Sequence, residues 1–400
     1  MRRIPVTFLM TFGHCGLDWL HSLLDSHKQI LIMPALSFYR CWKKLGLSSV
    51  NNHDEMFNLW FEYISLHIGP TSKNEQKKFL HSQNELDRFF IKFKQLLIIN
   101  GIKRADVFWA IHEAYAYAKK INIDDKIVLV SHEHQPWPYD LIHSDFKESN
   151  LLMIIRDPRA SIAGAYNGTI VDFSFLQDYV VNVMTEEWLQ GIGILNKYGD
   201  VLGKRLKVVR NEAIHDDHEK QMRNISEWLN IDFSNTMMCG TFSTGKRALP
   251  DTRYLKRGEN PDDTFYLKKN IKKRWMNVLS KRDILMIEGL FGEIMKKYNY
   301  NFIYKRTIVS SFIGHYIFLM PHPSVMKRWL EEYPKLEVFG KIESRLLLSQ
   351  RRLLYEIWKL VPAAIKLLVV ICHSVIRRII ILYFFGDRWK RYDQNKIRLD

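Results

Sequence analysis

Three separated stretches of the chain hold residue types suited to gripping an anion and moving a proton. The first runs from Pro5 to Asp25. Its strand formers Val6 to Thr11 lead into Gly13-His14-Cys15-Gly16, then into Leu17-Asp18 and a helical repeat of Leu17, Leu20, Leu23 and Leu24. Strand, glycine turn and helix is the unit that aims backbone N–H groups and a helix N-terminus at one point, which suits a phosphate or phosphosulfate. The second stretch is Ser131-His132-Glu133-His134, where an imidazole can accept a proton near neutral pH; His132 is the candidate base, with Glu133 and His134 as local alternatives. The third is Arg156-Asp157-Pro158-Arg159, a guanidinium placed directly after a buried apolar run. A later polar segment, Thr241 to Arg247, adds Lys246 and Arg247 as further candidates for an anionic ligand.

These residues need elements to bring them together. Lys126 to Val130 and Leu151 to Ile155 are short, continuous apolar runs bounded by polar residues and proline, as buried parallel strands are. Ile30 to Met33 and Leu206 to Val209 read as two more strands. Helical spacing appears at Phe57, Trp60, Phe61, Ile64 and Ile68, at Leu86, Phe89, Phe90 and Phe93, over 111–120, over 175–197, from Ile225 to Leu229 and from Asp283 to Tyr298. The sum is an α/β fold: a three-layer parallel sheet with helices on both faces. Ligands of such sheets sit off the carboxyl ends of the strands, where the three stretches would converge.

The ordered set resembles the sulfotransferases that use 3′-phosphoadenosine 5′-phosphosulfate (PAPS), over residues 4–300. In that family a strand, a Pro-Lys/Arg-Ser-Gly-Thr-Thr loop and a helix hold the 5′-phosphosulfate; Gly13, His14, Cys15, Gly16, Leu17 and Asp18 fill that frame here. The 3′-phosphate motif is a strand followed by Arg-Asn/Asp-Pro and a Ser eight residues after the Arg; Arg156-Asp157-Pro158 matches its start, and Gly164 stands at the Ser position, with Ser161 three residues short. Cytosolic members carry a catalytic His after an intermediate strand, where His132 falls. Lys246 and Arg247 lie where the family places a loop over the cofactor. The resemblance implies PAPS as co-substrate, no metal, and transfer of a sulfuryl group to a hydroxyl or amine with His132 as general base. The chain departs from the family at His14, where a Lys or Arg is usual, at Leu17 and Asp18, where Thr is usual, and at Gly164. Those departures leave a sulfotransferase-like binding or assembly module as the alternative. A P-loop kinase or ATPase is disfavoured, because no Gly-Lys-Ser/Thr follows the first turn.

Composition frames these readings. The 400 residues carry a formal net charge of +16, which favours an anionic ligand or surface. No Lys/Arg block with interleaved aromatics points to nucleic acid. The four cysteines, Cys15, Cys41, Cys239 and Cys372, have no metal or disulfide spacing and suggest reduced thiols in a cytoplasmic setting. The short apolar run after Arg3 reads as the first strand and not as a leader. Composition shifts after residue 305, which divides the chain into an α/β domain, 1–305, and a basic, largely helical C-terminal extension, 306–400. Basic residues from Arg345 to Arg391 alternate with apolar runs too short and too charged to span a bilayer. The extension is expected either to lie on an anionic membrane at its inner face or to cap the domain with a solvated basic face. The membrane reading implies a glycan or lipid-linked acceptor.

Overall fold

The computed structural model describes residues 3–34, 36–71, 79–169, 176–242, 246–247, 274–321, 353 and 357–384. The strands are β1 (Val6–Thr11), β2 (Ile30–Ile32), β3 (Val128–His132), β4 (Asn150–Ile155) and β5 (Leu206–Arg210), followed by a short pair, β6 (Thr241–Phe242) and β7 (Lys246–Arg247). The α-helices described below are α1 (Leu17–Leu24), α2 (Phe38–Lys44), α3 (His53–His67), α4 (Gln83–Asn100), α5 (Arg104–Ala118), α6 (Tyr139–Asp145), α7 (Pro158–Thr169) and α8 (Leu176–Leu202). They continue with α9 (Asn211–Asp216), α10 (His218–Leu229), α11 (Lys281–Lys297), α12 (Ile308–Leu319) and α13 (Ala363–Ile379). The chain forms two compact units, residues 1–156 with 193–252, and residues 157–192 with 253–400.

The first unit is built on a five-stranded parallel sheet in the order β2-β3-β1-β4-β5. From β1 the chain moves outward to β2, returns to β3, and then crosses to β4. Right-handed crossovers therefore set α1 on one face and α2 to α5 on the other. The side chains agree. Phe8 of β1 meets Tyr39 of α2, Phe108 of α5 and Phe146 on one face, whereas Leu9 is in register with His132, whose ring meets His21 of α1 on the other. Because β1 alone sends its crossover in that direction, its carboxyl end lies at the point where the winding reverses, the usual ligand crevice of an open α/β sheet.

Most elements follow the apolar spacing of the sequence. β1 and α1 fall on the expected residues, and Trp60, Ile64, Leu86, Phe89, Phe90 and Phe93 are buried as the helical spacing requires. One strand is displaced. The apolar run placed β3 at Lys126 to Val130, but it occupies Val128–His132. Pairing with β1 aligns Val6 with Leu129 and Leu9 with His132, so the ladder carries two polar residues into the sheet. Lys126 stays outside, its Nζ donating to the Lys28 carbonyl at 2.7 Å. His132 is accordingly a buried strand residue and not part of a loop.

In the second unit α7, the first part of α8, α11, α12 and α13 are described. Its buried Arg159 donates to Asp157 Oδ2 (2.7 Å), to Glu288 Oε1 (2.6 Å) and to the Asn301 carbonyl (2.6 Å), with Trp275 stacked under the guanidinium. Glu288 also accepts the backbone N–H groups of Ile303 and Tyr304. Helices α11 and α12 cross with backbone contact: a Cβ on Gly314 would lie 2.6 Å from Gly289 Cα, so only glycine fits.

Helix α13 lies in the extension read from the sequence either as a membrane-surface helix or as a cap with a solvated basic face, and two of its basic residues turn inward. Lys366, Val370, Ser374 and Arg378 are buried, one turn apart. Arg378 donates to the carbonyls of Phe318 and Met320, at the end of α12. Helix C-termini leave carbonyls without intrahelical partners and carry negative partial charge, which draws a guanidinium inward. What α13 turns outward includes Ile365, Leu368 and Ile376. Among the described residues no helix is long and apolar enough to cross a membrane. Arg345, Arg351, Arg352, Arg388, Lys390 and Arg391 lie outside the described residues.

Candidate active site

All five strands of the sheet run in one direction, so the segments that leave their carboxyl ends meet at one edge. There the chain places the Gly13 to Gly16 turn after β1, His132 to His134 at the end of β3, Arg156 after β4, and Arg210-Asn211 at the end of β5.

The turn is left-handed at Gly13 (φ 87°), His14 (φ 46°) and Gly16 (φ 90°). Histidine tolerates this region better than most residues. Gly16 is the N-cap of α1 and offers no capping side chain, which leaves the first amides of the helix for another acceptor. The side chains sort themselves by burial. Cys15 is buried, its thiol donating to the Gly13 carbonyl at 3.0 Å, and Leu17 packs in the core. What these two residues can give an anion is therefore backbone N–H. His14 is half-buried and Asp18 exposed.

Arg156 is half-buried. Asp157, its natural ion-pair partner by sequence, is taken by Arg159 through both carboxylate oxygens. Among the described residues Arg156 has no ion pair, and its buried Nε has no hydrogen-bond partner. Its charge is felt by His215, whose pKa falls to about 4, first through burial and then through Arg156. His215 in turn lies flat against Trp19, ring centroids 4.0 Å apart, so one face of that indole is covered.

Three imidazoles form a row under the turn. His132 Nδ1 is 3.2 Å from His21 Nδ1, and His132 Nε2 is 3.3 Å from His134 Nδ1. The rings of His132 and His134 lie within 6° of parallel with centroids 5.6 Å apart. The nitrogen gap accounts for all of that separation except the two ring radii, so the rings meet edge to edge. Asp18 Oδ1 stands 3.6 Å from His132 Nε2. Burial, followed by the nearness of His21 and His134, holds the pKa of His132 well below the usual imidazole value. Burial also lowers that of His21. His132 and His21 are therefore neutral at pH 7. His132 has no exposed side-chain surface, and the half-buried His134 is the member open to a ligand.

Glu133 points the other way. Its carboxylate accepts the N–H of Tyr39 and that of Phe38 at the start of α2, and burial pushes its pKa up to about 8. It serves the far face of the sheet. His112 and His27 are likewise held within the fold, by the Phe108 and Asp232 carbonyls. Gly164 lies in α7, in the other unit, and Ser161 accepts the Trp188 indole N–H at 3.1 Å. Lys246 and Arg247 form β7, which pairs antiparallel with β6; their side chains lie outside what is described.

Sequence reasoning missed His21 and Asn211. His21 reads as one more residue of an amphipathic helix until β3 is set beside it. Asn211 is buried and presses on Gly16.

The donors fit an anionic nucleotide unevenly. Arg156 offers a guanidinium without an ion pair among the described residues for a phosphate, while the turn offers backbone amides, with Asp18 as an acid beside them. The sheet order and the strand–turn–helix unit define an α/β protein in which the winding reverses at the end of β1. No protein-family model matches the chain, and no curated protein sequence matches it. Among solved structures it is similar to the sulfotransferase domain from the curacin biosynthetic pathway, at 14% identity over 76% of this chain and 100% of that one, with a TM-score of 0.47. It is also similar to the sulfotransferase domain of a Synechococcus olefin synthase (14% identity, 75% and 98% covered, TM-score 0.45) and to a sulfotransferase from Mycobacterium avium (12%, 75% and 78%, TM-score 0.37).

Proposed function

We propose that the chain transfers a sulfuryl group from PAPS to an acceptor hydroxyl or amine, on a glycan or a lipid-linked molecule. The observation that carries the proposal is Arg156, a cation without an ion-pair partner among the described residues, at the strand end beside the glycine turn. In this reading Arg156 binds the 3′-phosphate, and the amides of the Gly13 to Asp18 turn bind the phosphosulfate. The S–O bond to the phosphate breaks, a new S–O or S–N bond forms to the acceptor, and 3′-phosphoadenosine 5′-phosphate (PAP) leaves. Positioning and charge stabilisation supply most of the acceleration, as in phosphoryl transfer.

The acceptor proton goes to the histidine row. His134 is the half-buried member that an acceptor reaches, and His132, behind it at 3.3 Å, shares the proton. The depressed pKa of His132 makes it a weak base until an anion occupies the turn and stabilises its charged form.

Titration of the full chain with PAP tests the reading. Micromolar binding is expected, weakened about ten- to hundredfold by Arg156→Ala; no detectable binding sinks the transferase and leaves the binding-module alternative. Where PAP binds, transfer from radiolabelled PAPS to glycan and lipid-linked acceptors should be lost in His134→Ala. Transfer undiminished by that change removes the histidine row from the chemistry.

We further infer that the second unit touches a membrane surface. Supporting this is the apolar outward surface of α12 and α13, which carries Ile308, Val309, Phe312, Tyr316, Leu368 and Ile376 exposed to solvent.

A further inference from the structure

Asp18, His132 and His134 form a group that proton transfer does not fully explain. The family resemblance puts an anion at the N-terminus of α1, yet Asp18 adds a carboxylate there, leaning toward the His132 imidazole. One donor atom from each residue lies within 4.8 Å of the other two. His132 Nε2 is 3.3 Å from His134 Nδ1 and 3.6 Å from Asp18 Oδ1. Bonds of about 2.0–2.2 Å to a tetrahedral zinc ion separate adjacent donors by about 3.3–3.6 Å. Two edges of the triangle therefore already have coordination length.

The donor chemistry is selective. Two imidazoles with one carboxylate suit zinc, cobalt and their neighbours, whereas magnesium and calcium take oxygen ligands. The second layer is also in place. His21 Nδ1, buried at 3.2 Å from His132 Nδ1, is positioned to accept its N–H, which fixes the tautomer whose lone pair is on Nε2. As the rings stand, the facing nitrogens of His132 and His134 suit a hydrogen bond. Coordination replaces it, with the half-buried His134 ring swinging so that both lone pairs converge on the Asp18 side.

We propose that Asp18, His132 and His134 bind one divalent transition-metal cation of the zinc class. The metal site does not depend on sulfuryl transfer; its consequence for catalysis rests on that reading. A bound dication adds two positive charges beside the turn, which favours an anion there and answers the missing Lys or Arg at position 14. It also takes the lone pairs of His132 and His134, so it removes the proton acceptor. Zinc is then an inhibitor that tightens nucleotide binding while stopping transfer.

The test uses the full chain, stripped with chelator and titrated with CoCl2, read by visible absorption, and with ZnCl2, read by calorimetry. One equivalent per chain with intense tetrahedral cobalt bands is expected. Asp18→Asn and His134→Ala should each weaken binding about tenfold or more, with unfolding temperatures matching the parent. Absence of binding overturns the proposal, and so does binding that both variants retain. The exposed thiols of Cys239 and Cys372 are the competing ligands; binding lost in a Cys239→Ser/Cys372→Ser variant and kept in Asp18→Asn also overturns it. PAP titration in the absence of metal separates the two ideas: nucleotide binding without metal binding rejects only the cation site, and metal binding without nucleotide binding rejects only the transferase.

Discussion

Asn211 stands so close to Gly16 that a Cβ added to the glycine would lie 2.4 Å from the amide Nδ2. The residue that opens α9 thus sets the limit on the residue that caps α1, and the two strand ends, β1 and β5, are locked through that contact. Gly16 also has φ 90°, a region where a side chain costs about 1–2 kcal/mol. Gly16→Ala is therefore expected to lower the unfolding temperature and to displace the turn. In a paired measurement, PAP affinity should fall with it. Truncating Asn211 to Ala in the Gly16→Ala background removes the clash but not the φ strain, so stability should return in part. A Gly16→Ala protein as stable as the parent would show that the contact is not limiting.

Glu133 gives the fold a pH dependence of its own. Its folded pKa is about 8, raised by burial, against about 4.5 for a free glutamate. Between those values the folded chain holds a proton that the unfolded chain releases, so stability falls as pH rises, with a slope of up to about 1.4 kcal/mol per pH unit from this one group. Glu133→Gln keeps an acceptor for the Phe38 and Tyr39 amides and removes the titration. Urea unfolding at pH 5, 6, 7 and 8 should show the variant's stability flatter with pH and overtaking the parent at the alkaline end. Parallel profiles for the two proteins would contradict the buried, raised carboxyl.

The elements that rest on local signals were legible in the sequence. Apolar runs and glycine punctuation locate β1, α1 and β4 almost to the residue, because a buried strand and an amphipathic helix are patterns within a few neighbours. Register was not legible. Val128–His132 extends past its apolar residues because β1 offers partners as far as Leu9. That two-residue shift turns His132 from a loop residue into a buried one facing α1, and it brings His21 into the site. The ion pairs also had to be seen. Sequence proximity suggested Asp157 for Arg156, but Glu288, far along the chain, holds Arg159 so that its guanidinium takes Asp157. Sorting Cys15 and Leu17 into the core, with Asp18 outward, required the left-handed turn at Gly13 and His14.

The same difference between composition and placement bears on the membrane contact proposed for the second unit. Charge counting along 345–391 suggests attraction to anionic lipid, yet Lys366 and Arg378 are buried, the latter bound to the Phe318 and Met320 carbonyls. The outward residues of α12 and α13 are apolar, with Phe312 72% and Leu368 61% exposed. Partition should therefore depend more on apolar area than on salt. Co-sedimentation of the full chain with phosphatidylglycerol vesicles is expected to fall about fivefold or more in Phe312→Asp/Ile376→Asp, since two charges replace apolar area at the interface. Raising the salt from low to physiological strength should matter less than that double change. Both positions are exposed, so the unfolding temperature should hold, which separates lost membrane contact from lost folding. If the vesicles retain the double variant as well as the parent, the apolar surface is not what binds them. If salt alone releases the parent, the attraction is electrostatic and belongs to basic residues elsewhere in the chain.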